Sequence, residues 1–313
     1  MKDFNNTVKA VIFGHAVADA LGVPVEFCDR DELDENPVTD MTGFGTYPYP
    51  EGCWSDDTSM SLGTLESLTL GMVNYDDIMI NFGKWYYKDE FTPTGEMFDV
   101  GNTCSYAIDN YFVNKKPVNL CGLDNEQSNG NGSLMRIHPV ALYLYTRKNL
   151  STEEKIEIIH SVSALTHAHE RSKIACGIYA FVLWELMYNP VRESILNGLN
   201  KAKEYYKSYP ESNKYSKLFN KTFILTKRSD ISSSGYVVAT LEAAVYCLLH
   251  SKSYEECVLS AVNLGDDTDT VGAIAGGLAG ALYGLDSIPE KWLKALKKKE
   301  YIDDMCERAV KAW

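Results

Sequence analysis

No two of the eight cysteines stand at Cys-x-x-Cys spacing; Cys28, Cys53, Cys104, Cys121, Cys176, Cys247, Cys257 and Cys306 are scattered along the chain. That excludes a zinc ribbon and a thioredoxin-type redox motif. Free thiols in apolar helical patterns, such as Cys176 and Cys247, behave as small hydrophobes, so a reduced, cytoplasmic protein is expected. Positive charge is scarce: 30 Lys and Arg stand against 43 Asp and Glu, a net charge of −13. A chain so acidic is no general binder of a nucleic-acid backbone. One phosphate-bearing small ligand stays open, because a bound cation reverses the local field. Long apolar runs are missing too. The stretch from Val271 to Leu285 holds five glycines and falls short of the roughly 20 residues that span a bilayer, so no membrane helix is expected. The opening MKDFNNTVKA has no uninterrupted apolar core and reads as no signal peptide. Alternating runs joined by hairpin turns are absent, which removes the usual signs of a sheet. His15, His138, His160, His169 and His250 form no triad with a Ser or Cys nucleophile.

What the chain has is helical periodicity. Val237, Val238, Leu241, Val245, Leu248 and Leu249 recur on one helix face, and an apolar series runs from Ile156 to Met187 with a break near Thr166. Ser151 with Glu154, Ser253 with Glu256 and Ser287 with Glu290 have capping-box spacing, and Pro289 fits an early helical position. Gly22 and Pro24 end the first helix and leave Glu26 in a loop, where on residue type alone it reads as a solvated acid. The reading is all-α with several long loops. Residues 200–222 are polar and rich in Lys and Tyr, either an exposed helical excursion or a loop insertion. They form no linker, since chemistry-bearing segments lie on both sides. Lys297, Lys298 and Lys299 read as a solvated helix face.

Two acidic clusters open helices. Trp54-Ser55-Asp56-Asp57-Thr58 leads into SMSLGTLESL, and Gly265-Asp266-Asp267-Thr268-Asp269-Thr270 into VGAIAGGLAGALYG. Asp and Thr are good helix caps, and acids favour a helix N-terminus. Capping explains poorly why three carboxylates crowd positions 265–270, where like charges repel. A cation would remove that repulsion, and an oxygen-only donor set suits Mg²⁺ or Mn²⁺ rather than Zn²⁺. Spacing alone does not place the two clusters in one site. Gly130-Asn131-Gly132-Ser133-Leu134-Met135-Arg136 offers small residues whose amides could cradle a phosphate, or simply a turn. Arg136 is its one basic residue, with a structural ion pair as the alternative.

In this order, the segments ADALGVPVEF (18–27), CWSDDTSM (53–60), PTGEMFDVGNT (93–103), SNGNGSLMRIHPVAL (128–142), THAHERSKIACGIYA (166–180), SSGYVVATLEAA (233–244) and GDDTDTVGAIAGGLAGALYG (265–284) resemble the ADP-ribosylglycohydrolase family. They cover nearly the whole chain apart from residues 190–230 and the ends. The resemblance implies one compact domain over 1–313, a single orthogonal helical fold with a dinuclear metal cleft and a polar variable segment near 190–230. It implies two Mg²⁺ or Mn²⁺ ions held by Ser55, Asp56, Asp57, Asp267, Asp269 and Thr270. Glu26, Asp57 and Asp99 are the expected catalytic carboxylates. Gly130, Asn131, Gly132, Ser133, Arg136 and His167 are expected at the phosphates, and Gly235 and Tyr236 at the adenosine end. Three positions depart from the family pattern: Ala18 and Asp266 stand where Gly is usual, and Ser55 where Thr is usual.

The expected reaction is metal-dependent removal of ADP-ribose from a modified side chain. N-linked arginine is suggested by Asp99; O-linked serine and O-acetyl ADP-ribose are alternatives. The partner is then an ADP-ribosylated protein or a small ADP-ribose conjugate, and a monomer is expected. Two further readings are a non-catalytic ADP-ribose-binding or immunity protein of the same fold, and a dinuclear phosphohydrolase that releases AMP.

Overall fold

A computed structural model describes residues 4–313. Among the described residues fourteen α-helices follow one another: α1 Phe4–Gly22, α2 Arg30–Glu35, α3 Asp56–Leu68, α4 Tyr75–Lys88, α5 Asn102–Phe112, α6 His138–Thr146, α7 Thr152–Ser163, α8 Glu170–Tyr188, α9 Arg192–Tyr206, α10 Val237–His250, α11 Tyr254–Val262, α12 Thr268–Tyr283, α13 Glu290–Ala295 and α14 Lys299–Ala312. Among the described residues there is no strand, only two isolated bridges, Leu123 with His167 and Gly130 with Tyr236. The fold is all-α and forms one domain around one apolar core.

The core is organised on α1 and α12, which share the largest contact of any helix pair. The sequence permits this because small residues recur along both. Ala10, Gly14, Ala18 and Gly22 of α1 run past Gly280, Gly276, Gly272 and the start of α12, antiparallel and backbone to backbone. A Cβ on Gly276 would stand 2.3 Å from the Gly14 carbonyl oxygen, and one on Gly22 would stand 2.4 Å from Asp269 Cα. Any side chain at either position would push the helices apart. Helices α3, α8, α10, α11 and α14 pack around this pair.

Helix α1 is long and apolar enough to cross a membrane by length and composition, which the sequence reading had not singled out. Its side chains from Val8 to Gly22 are almost all buried against protein. The apolar series from Ile156 to Met187 is two helices, α7 and α8, separated at 164–169. Ser151 and Glu154 form the reciprocal capping box, and the Ser253 hydroxyl caps α11. Ser287 does not cap α13: its hydroxyl donates to the Gly284 carbonyl, and Pro289 takes the N-cap position. The lysine run is no continuous helix face. Lys298 sits left-handed between α13 and α14 and donates to the Thr92 carbonyl at 2.6 Å.

Residues 200–222, expected as an exposed helical excursion or a loop insertion, fall within a segment near 190–230 that is packed helix first and short turns after. Its first half is α9, which lays Ile195, Leu199, Ala202 and Tyr206 on α8. Its second half is a chain of short 3-10 turns that buries Tyr215, Leu218, Phe219 and Phe223.

Candidate active site

The close approach of α1 and α12 delivers Asp19 and Asp269 to one point. Helix α3 begins there as well, because Asp19 holds it. The Asp19 carboxylate accepts from Ser55 N at 2.9 Å, Thr58 N at 3.0 Å and Thr58 Oγ1 at 2.6 Å. The two acidic segments therefore meet, although Thr270 follows Asp57 by 213 positions: its hydroxyl donates to Asp57 Oδ2 at 3.1 Å. Ser55 Oγ donates to the same oxygen at 3.0 Å. Asn131 Nδ2 donates to Asp267 Oδ2 at 2.8 Å, which ties in the glycine-rich segment.

Carboxylate oxygens gather in two groups that share Asp269. One oxygen each of Asp19, Asp57 and Asp269 lie within 4.8 Å of one another, and so do one each of Glu26, Asp267 and Asp269. Asp57 Oδ1, Asp269 Oδ2 and Glu26 Oε2 are buried without a hydrogen-bond partner among the described residues. Buried polar atoms are normally satisfied, so three orphaned acceptors on residues of these two groups call for a positive charge. The donor set is oxygen only, with neither thiolate nor imidazole in either group. These residues fit a hard divalent cation.

Burial and mutual repulsion dominate the electrostatics. Burial first, and then neighbouring carboxylates, hold Asp56, Asp57 and Asp269 well above the usual carboxylate range. Burial raises Asp19 to about 7 against hydrogen bonds that lower it. Glu26 is pushed up to about 9 by burial and by Asp99, and Asp99 to about 6 by burial and Asp267. The Tyr47 hydroxyl lies against both Glu26 and Asp99 and favours their charged forms.

Above these carboxylates opens a cleft of about 440 Å³. Glu26, Asp56, Asp99, Gly130, Asn131, Gly132, His167, Gly235, Asp267 and Thr270 all line it, and among the described residues no Lys or Arg does. Ser55, Asp57 and Asp269 lie buried beneath it. Tyr236 stands next to Gly235, partly exposed, with its backbone bridged to Gly130 and its ring 5.6 Å from the Arg171 guanidinium.

Three expectations from sequence are corrected. Glu26 is not a solvated loop acid; it is only 6% exposed. The Glu26 loop is folded down by Phe27 N donating to Asp266 O at 2.7 Å and Asp266 N to Cys28 O at 2.9 Å. Arg136 offers the cleft no charge and makes no ion pair among the described residues. It is fully buried behind the cleft wall, donates to Val162 O and Thr166 Oγ1, and lies 4.6 Å over the Phe82 ring. Ser133 is fully buried too, and its hydroxyl meets Ser163 Oγ and Cys176 Sγ instead of the cleft.

Two residues of the site were missed. Asp19 carried a signal, being the one acid in the apolar face of α1. Tyr47 carried none, since it lies in a turn-rich loop without periodicity. The departure at Asp266 has a backbone meaning. It adopts φ 60°, a left-handed conformation that glycine takes freely and Asp tolerates better than most residues.

With this geometry in hand, comparison with known proteins is decisive for the family. The model of the ADP-ribosylglycohydrolase family matches residues 1–313. The chain belongs to that family. It is 32% identical over 302 residues to the ADP-ribosylarginine hydrolase Tri1 of Serratia proteamaculans, covering 96% of this chain and 78% of that one. It is 30% identical over 293 residues to the ADP-ribosyl-[dinitrogen reductase] glycohydrolase of Rhodospirillum rubrum, covering 91% and 88%. A solved structure described as an ADP-ribosylglycohydrolase-related protein complex superposes with a TM-score of 0.81 at 28% identity, covering 100% of this chain and 99% of that one.

Proposed function

We propose that this member of the family is a metal-dependent hydrolase that releases ADP-ribose from modified arginine side chains. The observation that carries the proposal is the charge of the cleft. Glu26, Asp56, Asp99 and Asp267 line it, without Lys or Arg. An anionic diphosphate has no side-chain cation to meet there, so cations must come with it or from the carboxylate floor. A guanidinium leaving group, by contrast, finds complementary charge at Asp99 and Glu26. Relatives named ADP-ribosylarginine hydrolases support this choice of linkage.

Ser55, Asp56, Asp57, Asp267, Asp269 and Thr270, the ligands the resemblance implies, would hold two Mg²⁺ or Mn²⁺ ions, with Asp19 and Glu26 close enough to join the carboxylate groups. When bound, the ions supply positive charge that neutralises the carboxylates and polarises ribose hydroxyls and water. The chain's own residues do the rest. Ser55 and Thr270 hold Asp57 in place through its Oδ2. Asn131 holds Asp267. Glu26 and Asp99, with Tyr47 between them, face the scissile end, where oxocarbenium-like charge develops as guanidine departs. The small residues Gly130 and Gly132 let the main chain approach the phosphates, and His167 adds a donor. Tyr236 offers a ring face to adenine.

Hydrolysis of an arginine-ADP-ribosylated protein with products read by mass tests the reading. Intact ADP-ribose released with Mg²⁺ and not with EDTA supports it. Release of AMP supports pyrophosphate cleavage instead, and cleavage of serine-linked or O-acetyl conjugates alone overturns the linkage.

A further inference from the structure

Arg136 is a buried cation with no counter-charge. Among the described residues no carboxylate pairs with it, its Nε has no partner, and its guanidinium is kept by two bonds of 3.4 Å to Val162 O, one of 2.7 Å to Thr166 Oγ1 and the face of Phe82. Keeping such a group desolvated is costly, and a well-packed apolar residue would often do better. The direction of its shortest hydrogen bond shows what the cation does for the site.

A guanidinium only donates. Thr166 Oγ1 therefore accepts from Arg136, and the hydroxyl retains one proton to give. The other strong group within reach is His167 Nδ1 at 2.8 Å. Cys104 also lies against this hydroxyl, but its thiol, pushed up to about 11 by burial, is protonated and at best a poor acceptor. Nδ1 is the stronger acceptor for the hydroxyl proton, and taking it leaves Nδ1 bare. Burial, and then Arg136, lower the His167 pKa to about 3, so the ring is neutral. Its one proton is on Nε2.

Among the described residues Nε2 has no hydrogen-bond partner, and the ring lines the cleft. Gly130 and Gly132 stand over this edge: a Cβ on Gly132 would come 2.9 Å from Cε1 and 3.4 Å from Nε2. The His167 main chain is anchored as well: its N donates to Ser163 O at 2.9 Å and Ser163 Oγ to its O at 3.1 Å.

We propose that Arg136 and Thr166 are positioning residues for His167, fixing its imidazole as the neutral Nε2–H tautomer so that the cleft receives a donor for an anionic phosphate oxygen. The ligand half of this inference rests on the ADP-ribose reading above; the tautomer does not.

The test is nitrogen NMR of the ¹⁵N-labelled full-length protein between pH 6 and 8, with His167 assigned by its disappearance in His167→Gln. The expected spectrum has a bare Nδ1 and a protonated Nε2. A protonated Nδ1 overturns the proposal, and this measurement needs no Thr166 variant to fold. ADP-ribose affinity by calorimetry then follows the relay. Thr166→Val weakens binding about 10-fold, the scale of one hydrogen bond to a charged group, and Thr166→Ser restores it. In a His167→Ala background, Thr166→Val changes affinity by less than about twofold, because its effect runs through the missing ring. An equal loss in both backgrounds would mean Thr166 merely supports the fold, and overturns the proposal. If the wild type shows the Nε2–H tautomer and binds no ADP-ribose, the positioning assignment stands and the ADP-ribose reading fails.

Discussion

Asp19 on α1 and Asp269 on α12 bring carboxylate oxygens within 4.8 Å of one another, and Asp57 completes the same group. Two helices with larger side chains at their contact could not achieve this. The approach depends on Gly14, Gly22 and Gly276, and the cost of crowding the charges falls on the metal-free protein. The expectations below follow from that arrangement.

Gly276 lies at one of the tight points of the helix contact. Gly276→Ala places a methyl 2.3 Å from the Gly14 carbonyl oxygen, so the helices must separate. A loss of about 2–3 kcal/mol is expected, typical of overpacking a tight core. Thermal unfolding reads it, and an unchanged Tm would mean that the two helices are not in backbone contact.

Metal-free protein loses stability as pH rises from 7 to 8.5. Asp19 at about 7, Glu26 at about 9, and Asp56, Asp57 and Asp269 all have folded-state pKa values above those of an unfolded chain. Stability tied to a raised pKa is complete below the unfolded value and disappears as pH climbs through the folded one. The buried histidines, His15, His138, His160 and His167, are shifted the other way and act below this window, since their unfolded forms are already largely neutral. Melting in EDTA therefore moves down across pH 7–8.5, and Mg²⁺ flattens the slope. Equal slopes with and without the ion would argue against a cation among these carboxylates.

Asp57→Asn separates stability from activity. The Asn side-chain oxygen can take over from Oδ2, which accepts from Ser55 and Thr270, while its NH₂ replaces the unpartnered Oδ1. With one like charge gone, the metal-free variant melts higher than wild type at pH 8, Mg²⁺ raises its Tm less, and hydrolysis falls at least ~100-fold. A variant that keeps both the metal response and the rate would remove Asp57 from the site.

Tyr236, next to Gly235 of the cleft lining, is the aromatic face proposed for adenine. Tyr236→Ala is expected to raise KM for an ADP-ribosyl substrate roughly 10-fold with little change in kcat, the scale of one aromatic stacking contact. A fall in kcat with unchanged KM would move Tyr236 from binding to chemistry.

Much of this was legible in the sequence because the helix starts carry the chemistry. Asp56 and Asp57 open α3, and Thr268 and Asp269 open α12, where capping preference and acid crowding are both visible as local patterns. The all-α class followed from the same apolar periodicity that forms α10. What local pattern cannot give is depth. Arg136 looked like a cleft cation because arginines are usually exposed, yet the helix packing around Phe82 and Val162 encloses it. Glu26 looked solvated because it follows Pro24 in a loop, yet two backbone bonds to the Asp266 region fold that loop over the carboxylates. Tyr47 was invisible because its role depends on a long loop that carries it against Glu26 and Asp99 rather than on any repeat. Asp19 was the instructive omission, since a lone acid on an apolar helix face must find donors, and here it finds three on α3.

The most direct measurement is the hydrolysis of an arginine-ADP-ribosylated protein by wild type, Asp57→Asn and Asp269→Ala, each with Mg²⁺ and with EDTA. The account predicts intact ADP-ribose and unmodified arginine as products, only with the wild type and only with the ion. Arginine conjugates left intact by wild-type protein with Mg²⁺ bound, or equal release in EDTA, would contradict it.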